Sequence, residues 1–271
     1  MRRRFLRWLR IGGIVLCVLV VAFCAYHLAR ELSDYAEAEE TYKAVEESVV
    51  SPNTVRQDTY RPPGPPPSHT QPEDEAIAVP PEQLVEIPDV DFSALQKINM
   101  QGIGWIYQPG TKINYPIAQA TDNAYYLKHN INGRQSASGA IFLDYRNAED
   151  FSDRLSVLYG HHMRSGSMFA SIDQYKKQNY YDKYPIAYLI APTGCWRIEF
   201  FAGVVHTAEE VPLEFEDNAA FMQYMEELIE YSTFVSYVPV TEKSKVVALS
   251  TCAYDFRNAR YVLYGVLSKV W

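Results

Sequence analysis

Apolar and polar positions along the 271-residue chain fall into three regimes. Residues 11–28 form a run with no charged side chain, 51–88 mix prolines with polar residues, and from about 89 onward short apolar runs alternate with turn residues. At about 1.5 Å per residue the first run reaches roughly 27 Å as a helix, close to the thickness of a bilayer's hydrocarbon core. The stretch 29–50 is rich in Glu, Ala and Tyr and holds neither Gly nor Pro, which predicts a stalk helix. The prolines of 51–88 exclude helix and central strand and predict an extended, semi-rigid spacer.

The third regime contains eight β-like runs, at 104–107, 113–117, 140–143, 156–159, 186–190, 196–205, 245–251 and 260–268. Eight short strands predict a mainly β domain, a barrel or a sandwich. One helix is expected among them. Asp217 is its N-cap, and Phe221, Tyr224, Met225, Leu228 and Ile229 form one apolar stripe, the mark of a helix packed on a core. The organisation expected is a basic segment (1–10), an anchor (11–28), a helical stalk (29–50), a Pro-rich linker (51–90) and one globular domain (91–271), which is an ordinary size for a single core.

Charge adds direction. Arg2, Arg3, Arg4, Arg7 and Arg10 precede the apolar run with no acid among them, so the N-terminus is expected in the cytoplasm and the rest outside, on a single-pass membrane anchor. A cleaved signal peptide is the competing reading, but no small-x-small site follows the run. The net charge is −8, and the exported part is more acidic still, which argues against nucleic acid as a partner.

Four cysteines are present. Cys17 and Cys24 share one face of the apolar run, and Cys195 sits in an apolar strand-like stretch as a buried thiol; an exported compartment would permit a Cys195–Cys252 bridge. No CxxC pair, zinc spacing or phosphate-binding glycine loop is present, so neither a metal nor another cofactor is expected. Cys252 closes the run from Lys245, and Arg260 opens the next. If the two runs form a hairpin around the loop 253–259, opposed Cβ atoms lie about 5 Å apart. A thiol and a guanidinium would then share one rim, as a nucleophile and an oxyanion stabiliser do.

An unperturbed thiol has a pKa near 8.5 and needs a basic or ion-pair partner. His27 belongs to the apolar run, His69 to the proline spacer, His129 to a polar loop and His206 to a strand end. His161 and His162 follow the run 156–159 and Gly160, at a strand exit where scaffolded catalytic groups often stand. Consecutive strand side chains point opposite ways, so only one of the two can face the cysteine.

These residues fall in a recognisable series. Leu249-Ser-Thr-Cys252 with Arg260, and Tyr159-Gly-His-His-Met163 followed by Gly166-Ser-Met-Phe169, resemble the signature blocks of class B sortases. The likeness extends, in the family's order, through Gly104-Trp-Ile, Pro109-Gly-Thr-Lys-Ile-Asn-Tyr-Pro116, Asp122-Asn-Ala-Tyr-Tyr-Leu127 and Gly139-Ala-Ile-Phe-Leu-Asp-Tyr-Arg146. It implies a closed eight-stranded sortase-type β-barrel with an N-terminal helical element and a helix before the cysteine-bearing strand. It also implies a membrane-held cysteine transpeptidase. Such an enzyme cuts the C-terminal sorting signal of an exported protein after Thr, holds the acyl group as a thioester and transfers it to a peptidoglycan precursor amine or a pilin lysine. The class leans toward an Asn-Pro-x-Thr type of signal.

By the resemblance, Cys252 is the nucleophile, His161 the general acid/base and Arg260 the oxyanion or substrate clamp. Asn123, Leu127 and Ser250 are expected to line the peptide groove, and a substrate contact at Ala253 is in doubt because relatives can carry a polar residue there. Two other classes remain open on the residues alone: a secreted cysteine peptidase that releases its acyl group to water, and a noncatalytic tethered binding module in which Cys252 is a buried strand residue.

Overall fold

The structure, a computed structural model, describes residues 2–64, 82–207, 211–252 and 259–271. The described chain opens with helix α1 (Arg2–Val49), which carries the apolar run without a break into the stalk. Pro52 disfavours further helix just behind it, and strand β1 (Val50–Tyr60) starts there. β1 pairs antiparallel with β2 (Gln83–Val90) in a two-stranded ribbon. Helix α2 (Phe92–Ile98) follows, its first turn capped by Asp91, which accepts from Ser93 N and Ala94 N.

The spacer expectation is therefore corrected at 50–60 and 83–90; residues 65–81, with His69, lie outside the described residues. Side chains outside the prolines explain the ribbon. The Arg197 guanidinium donates to Asp58 at 2.6 Å, Tyr188 Oη donates to the same carboxylate at 3.0 Å, and Arg56 lies over the Trp271 ring. These contacts staple the ribbon to the barrel wall.

The stalk is docked as well. Ala38, Tyr42, Val45 and Val49 are buried at three- and four-residue spacing, which places them on one helical face. Tyr42 Oη donates to the Gly139 carbonyl at 2.6 Å, Asn114 Nδ2 donates to Glu46 Oε1 at 2.7 Å, and Asp91 N caps the Val49 carbonyl at 2.8 Å. Domain and stalk thus form one packed body rather than two units joined by a tether.

Eight strands close the barrel: β3 (Gly102–Tyr107), β4 (Asn114–Ala118), β5 (Ile141–Leu143), β6 (Leu155–Tyr159), β7 (Ile186–Ala191), β8 (Gly194–His206), β9 (Val246–Cys252) and β10 (Arg260–Lys269). Around the barrel they run β10-β8-β7-β3-β4-β5-β6-β9 and back to β10. Only β4–β5 and β6–β9 pair in parallel. Short helical segments missed by the pattern reading, α3 (Gln178–Lys183) and two 3-10 turns at Tyr125–Leu127 and Ala170–Lys176, fill the connections.

Helix α4 (Asn218–Glu230) covers the outside of the barrel, with Asp217 accepting from Ala220 N at its cap. Phe221, Met225 and Leu228 are buried beneath it, whereas Ile229 of the expected stripe is 47% exposed. Two cores result. Val247 and Leu249 of β9 and Tyr261 and Leu263 of β10 face the barrel interior, and Val246 and Ala248 with Val262 and Tyr264 pack under α4. Strands buried on both faces explain the near-continuous apolar runs in the sequence.

Truncating Phe221 to Ala should lower unfolding free energy by about 3–5 kcal/mol, and Asp217→Ala by about 1 kcal/mol. Denaturant midpoints at unchanged slope check both; a Phe221→Ala loss below the Asp217→Ala loss would contradict the second core.

Candidate active site

The alternation of the two cores sorts the rim residues. Along β6, Leu155 and Val157 pack under α4 while Leu158 faces inward. The strand ends at Tyr159, and His161 stands two residues past it. On β9 and β10 the same alternation puts Ser250 and Arg260 with Ala248 and Val262, on the α4 side. Register brings these positions together. Arg260 pairs directly with Cys252, and Tyr159 pairs with Ser250 across the parallel β6–β9 ladder. The contact between β6 and β9 runs one residue past the ladder, with Gly160 N donating to Ser250 O at 3.1 Å and Thr251 Oγ1 donating to Gly160 O at 2.8 Å. Positions 161, 252 and 260 therefore lie at one end of three consecutive strands about 4.8 Å apart. The loop 253–258, including Ala253, lies outside the described residues.

Gly160 is dictated by packing. A Cβ there would stand 2.5 Å from Ile141 Cδ1 and 2.6 Å from Phe169 Cδ2. Beyond it, His161 Nε2 lies 2.7 Å from the Leu127 carbonyl. A carbonyl only accepts, so Nε2 carries the hydrogen and Nδ1 is the nitrogen left to take up and release a proton. Gly139, at φ +56°, supports the ring: its position lets Tyr126 O and His161 Cδ2 approach to within 2.4 and 3.0 Å of where a Cβ would be. The Tyr42 hydrogen bond to Gly139 links this support to α1.

His162 pairs through its backbone with Met168 in an isolated antiparallel bridge. On its far side from Cys252, Arg260 pairs with His206, whose Nε2 lies 3.1 Å from Tyr264 Oη. Leu127, whose carbonyl meets the His161 ring, is 41% exposed. Ser250 is only 5% exposed, between Tyr159 and Val262. Asn123 is engaged within the protein: Nδ2 donates to Asp144 Oδ2 at 2.9 Å and Oδ1 accepts from Tyr145 N at 3.1 Å.

Asp144 is the part of this region that pattern reading did not single out. Its carboxylate is fully buried and takes two bonds from the Arg146 guanidinium, at 2.9 and 2.7 Å, and one from Tyr159 Oη at 3.0 Å. Burial alone would raise its pKa, but the Arg146 side chain and backbone, Asn123 and Tyr159 outweigh it and hold the carboxyl below the ordinary range. The motif Asp144-Tyr-Arg146 at a strand exit was the available signal, a carboxylate and a guanidinium two residues apart. Cys195 is buried beneath the barrel wall, its thiol pushed up to about 12 by desolvation, as an inert core residue should be. Among the described residues no group of three His, Cys, Asp or Glu side chains could hold a metal ion.

No protein-family model matches the chain. It is 34% identical over 177 residues to Sortase B of Listeria monocytogenes, spanning 64% of this chain and 72% of that protein. It is 32% identical over 183 residues to Sortase B of Staphylococcus aureus, spanning 66% and 75%. Among solved structures, sortase B from Bacillus anthracis in complex with AAEK1 superposes with a TM-score of 0.70 at 28% identity, over 88% of this chain and 99% of that one. The Staphylococcus aureus sortase B–substrate complex gives 0.64 at 31% identity, over 67% and 86%. The barrel, its strand order and these likenesses carry one conclusion: the chain belongs to the sortase B family and is a sortase-type cysteine transpeptidase.

Proposed function

We propose that Cys252 attacks the carbonyl of the Thr in a C-terminal sorting signal, leaving a thioester that an amine of the cell wall or of a pilin then resolves. The observation that supports this most is register: Cys252 opposite Arg260 on one side, and the parallel neighbour strand that delivers His161 on the other. The Cys252 sulfur, as thiolate, forms the new S–C bond and the carbonyl oxygen takes the negative charge, beside the Arg260 guanidinium. Collapse breaks the C–N bond, and the His161 imidazolium gives its Nδ1 proton to the departing amine. In the second half the neutral ring removes the incoming amine's proton, the amide forms and the thiolate leaves. A donor placed at the oxyanion contributes about 3–4 kcal/mol of the barrier lowering.

His161 is preferred over His162 because it directly follows Gly160, the last residue of β6's exit to bond β9, and because the Leu127 carbonyl fixes its tautomer. Leu127 is the groove residue with exposed side chain to offer; Asn123 and Ser250 enter the reading as wall residues, held by Asp144 and by the β6–β9 ladder. The uncharged part of α1 is long and apolar enough to cross a membrane and is not buried, which supports an anchor with the N-terminus in the cytoplasm and the barrel outside. An Asn-Pro-x-Thr signal is the proposed substrate.

Incubating the full chain in detergent with such peptides, with and without an added amine, tests the reaction. Ligated product is expected; hydrolysis indifferent to amine would favour a peptidase, and absence of any adduct a binding module. Cys252→Ala should remove the covalent adduct by mass spectrometry and leave the circular dichroism spectrum unchanged. Arg260→Lys should lower kcat/KM by about a hundredfold or more, since a point charge does not reproduce the guanidinium fork; turnover within a fewfold of wild type would remove Arg260 from its role. Asp144 predicts a pH effect. Its pKa is depressed in the fold, so its stabilisation is present above the ordinary carboxylate value of 3.8 and is lost as pH falls through the lower folded value. Melting temperature should drop over that acid interval, and Asp144→Asn should flatten the drop; an unchanged acid limb in the variant would contradict the assignment.

A further inference from the structure

The docked stalk fixes where the barrel stands relative to the membrane. Taking 11–28 as the span, which rests on the anchor reading above, Arg30 stands about 3 Å and Ala38 about 15 Å above its end along the helix axis. The polar headgroup layer on each side is roughly 5–8 Å thick. Facing this stretch of α1 is the loop 128–137: Arg30, Asp34, Glu37 and Ala38 line one side of an open cleft of about 370 Å³, and Lys128, Asn130, Gln135, Ser136 and Ala137 line the other. On the helix the cation lies nearest the bilayer, with the acids Asp34 and Glu37 one and two turns farther off.

The loop is built as a rigid finger. Ser136 N donates to Lys128 O at 2.9 Å and Asn130 N to Arg134 O at 2.8 Å. The Asn130 side chain accepts from Asn132 N and Arg134 N, both at 3.1 Å, around Gly133 at φ +74°. Ile131 is fully buried, and its carbonyl accepts from Asn99 Nδ2 at 2.8 Å. With its hydrophobic side chain turned into the core, the finger leaves Lys128, Asn132 and Arg134 exposed. Tyr125, 39% exposed and stacked on His129, stands at its base, an aromatic ring of the kind that settles at headgroup level.

We infer that the finger 128–136 is a second membrane contact, with Lys128 and Arg134 seated among anionic lipid headgroups and Arg30 completing a cationic edge around the cleft. Because Leu127, at the start of the finger, holds His161 through its carbonyl, this contact sets the height and tilt of the reactive rim over the bilayer. Substrates that are themselves membrane-tethered then meet the rim at a fixed level.

The test uses the full chain with Cys17→Ser, Cys24→Ser and Cys252→Ala, labelled with a fluorophore at Asn132→Cys, in vesicles carrying a headgroup-attached quencher lipid. Strong quenching is expected in phosphatidylglycerol vesicles, weaker in phosphatidylcholine. Lys128→Gln with Arg134→Gln should weaken the association by about fivefold per cation removed, and in the chain that keeps Cys252 should leave turnover of a water-soluble peptide unchanged. A chain that floats with vesicles but whose label ignores the quencher overturns the inference and spares the anchor. Quenching equal in both lipids and in the double variant also overturns it, since headgroup charge would play no part. Failure to float overturns the anchor reading, and the inference with it.

Discussion

One pairing organises the molecule: β9 lies between a parallel neighbour, β6, and an antiparallel one, β10. A parallel neighbour ends where β9 ends, and an antiparallel one begins there. Cys252, the residues just past β6, and Arg260 therefore meet at a single barrel end without any long side chain having to reach. Parallel pairing requires a crossover connection, here the long excursion through the 3-10 turn Ala170–Lys176, α3, β7, β8 and α4 between the two strands. Closing the barrel through this pair also removes exposed edges next to the reactive positions.

Rigidity around the rim comes from groups that do not react. Gly160 lets Phe169 and Ile141 press against the exit of β6, and Gly139 admits the His161 ring beside the Tyr126 carbonyl. The buried Asp144–Arg146 pair anchors Tyr159 and Asn123 at once, so one carboxylate ties the end of β6 to the segment 122–127. Breaking such a pair leaves an uncompensated buried charge, which makes it an effective clamp. Through Tyr42 and Gly139 the same region is continuous with the packed end of α1, so stalk and rim behave as one body.

Much of this was legible in the residues. The eight strands stand within two residues of their expected bounds, because β-branched and aromatic runs between turn residues mark strands wherever a face is buried; the α4 cap at Asp217 follows from side-chain chemistry. The family's blocks point to His161, Cys252 and Arg260 as candidates, and the register sets those three positions at one end of neighbouring strands. What the sequence concealed was non-local. Asp58 and Arg56 hold the ribbon against the barrel and its C-terminus, and Asp89 pairs with Arg56 across the ribbon, contacts invisible in a proline-rich composition. Ser250 is buried by its position between two paired strands, and Ile229 is exposed because the stripe under α4 is narrower than the helical pattern suggests.

The convergence of the strand ends is tested most directly by comparing the His161 ring resonances by NMR in the wild-type chain and in Cys252→Ala. With sulfur and imidazole neighbours, the ring shifts of His161 should differ between the two proteins while those of His129 stay put. Identical His161 ring spectra would mean that the ring and the thiol do not sense one another, and the account of the site would fail.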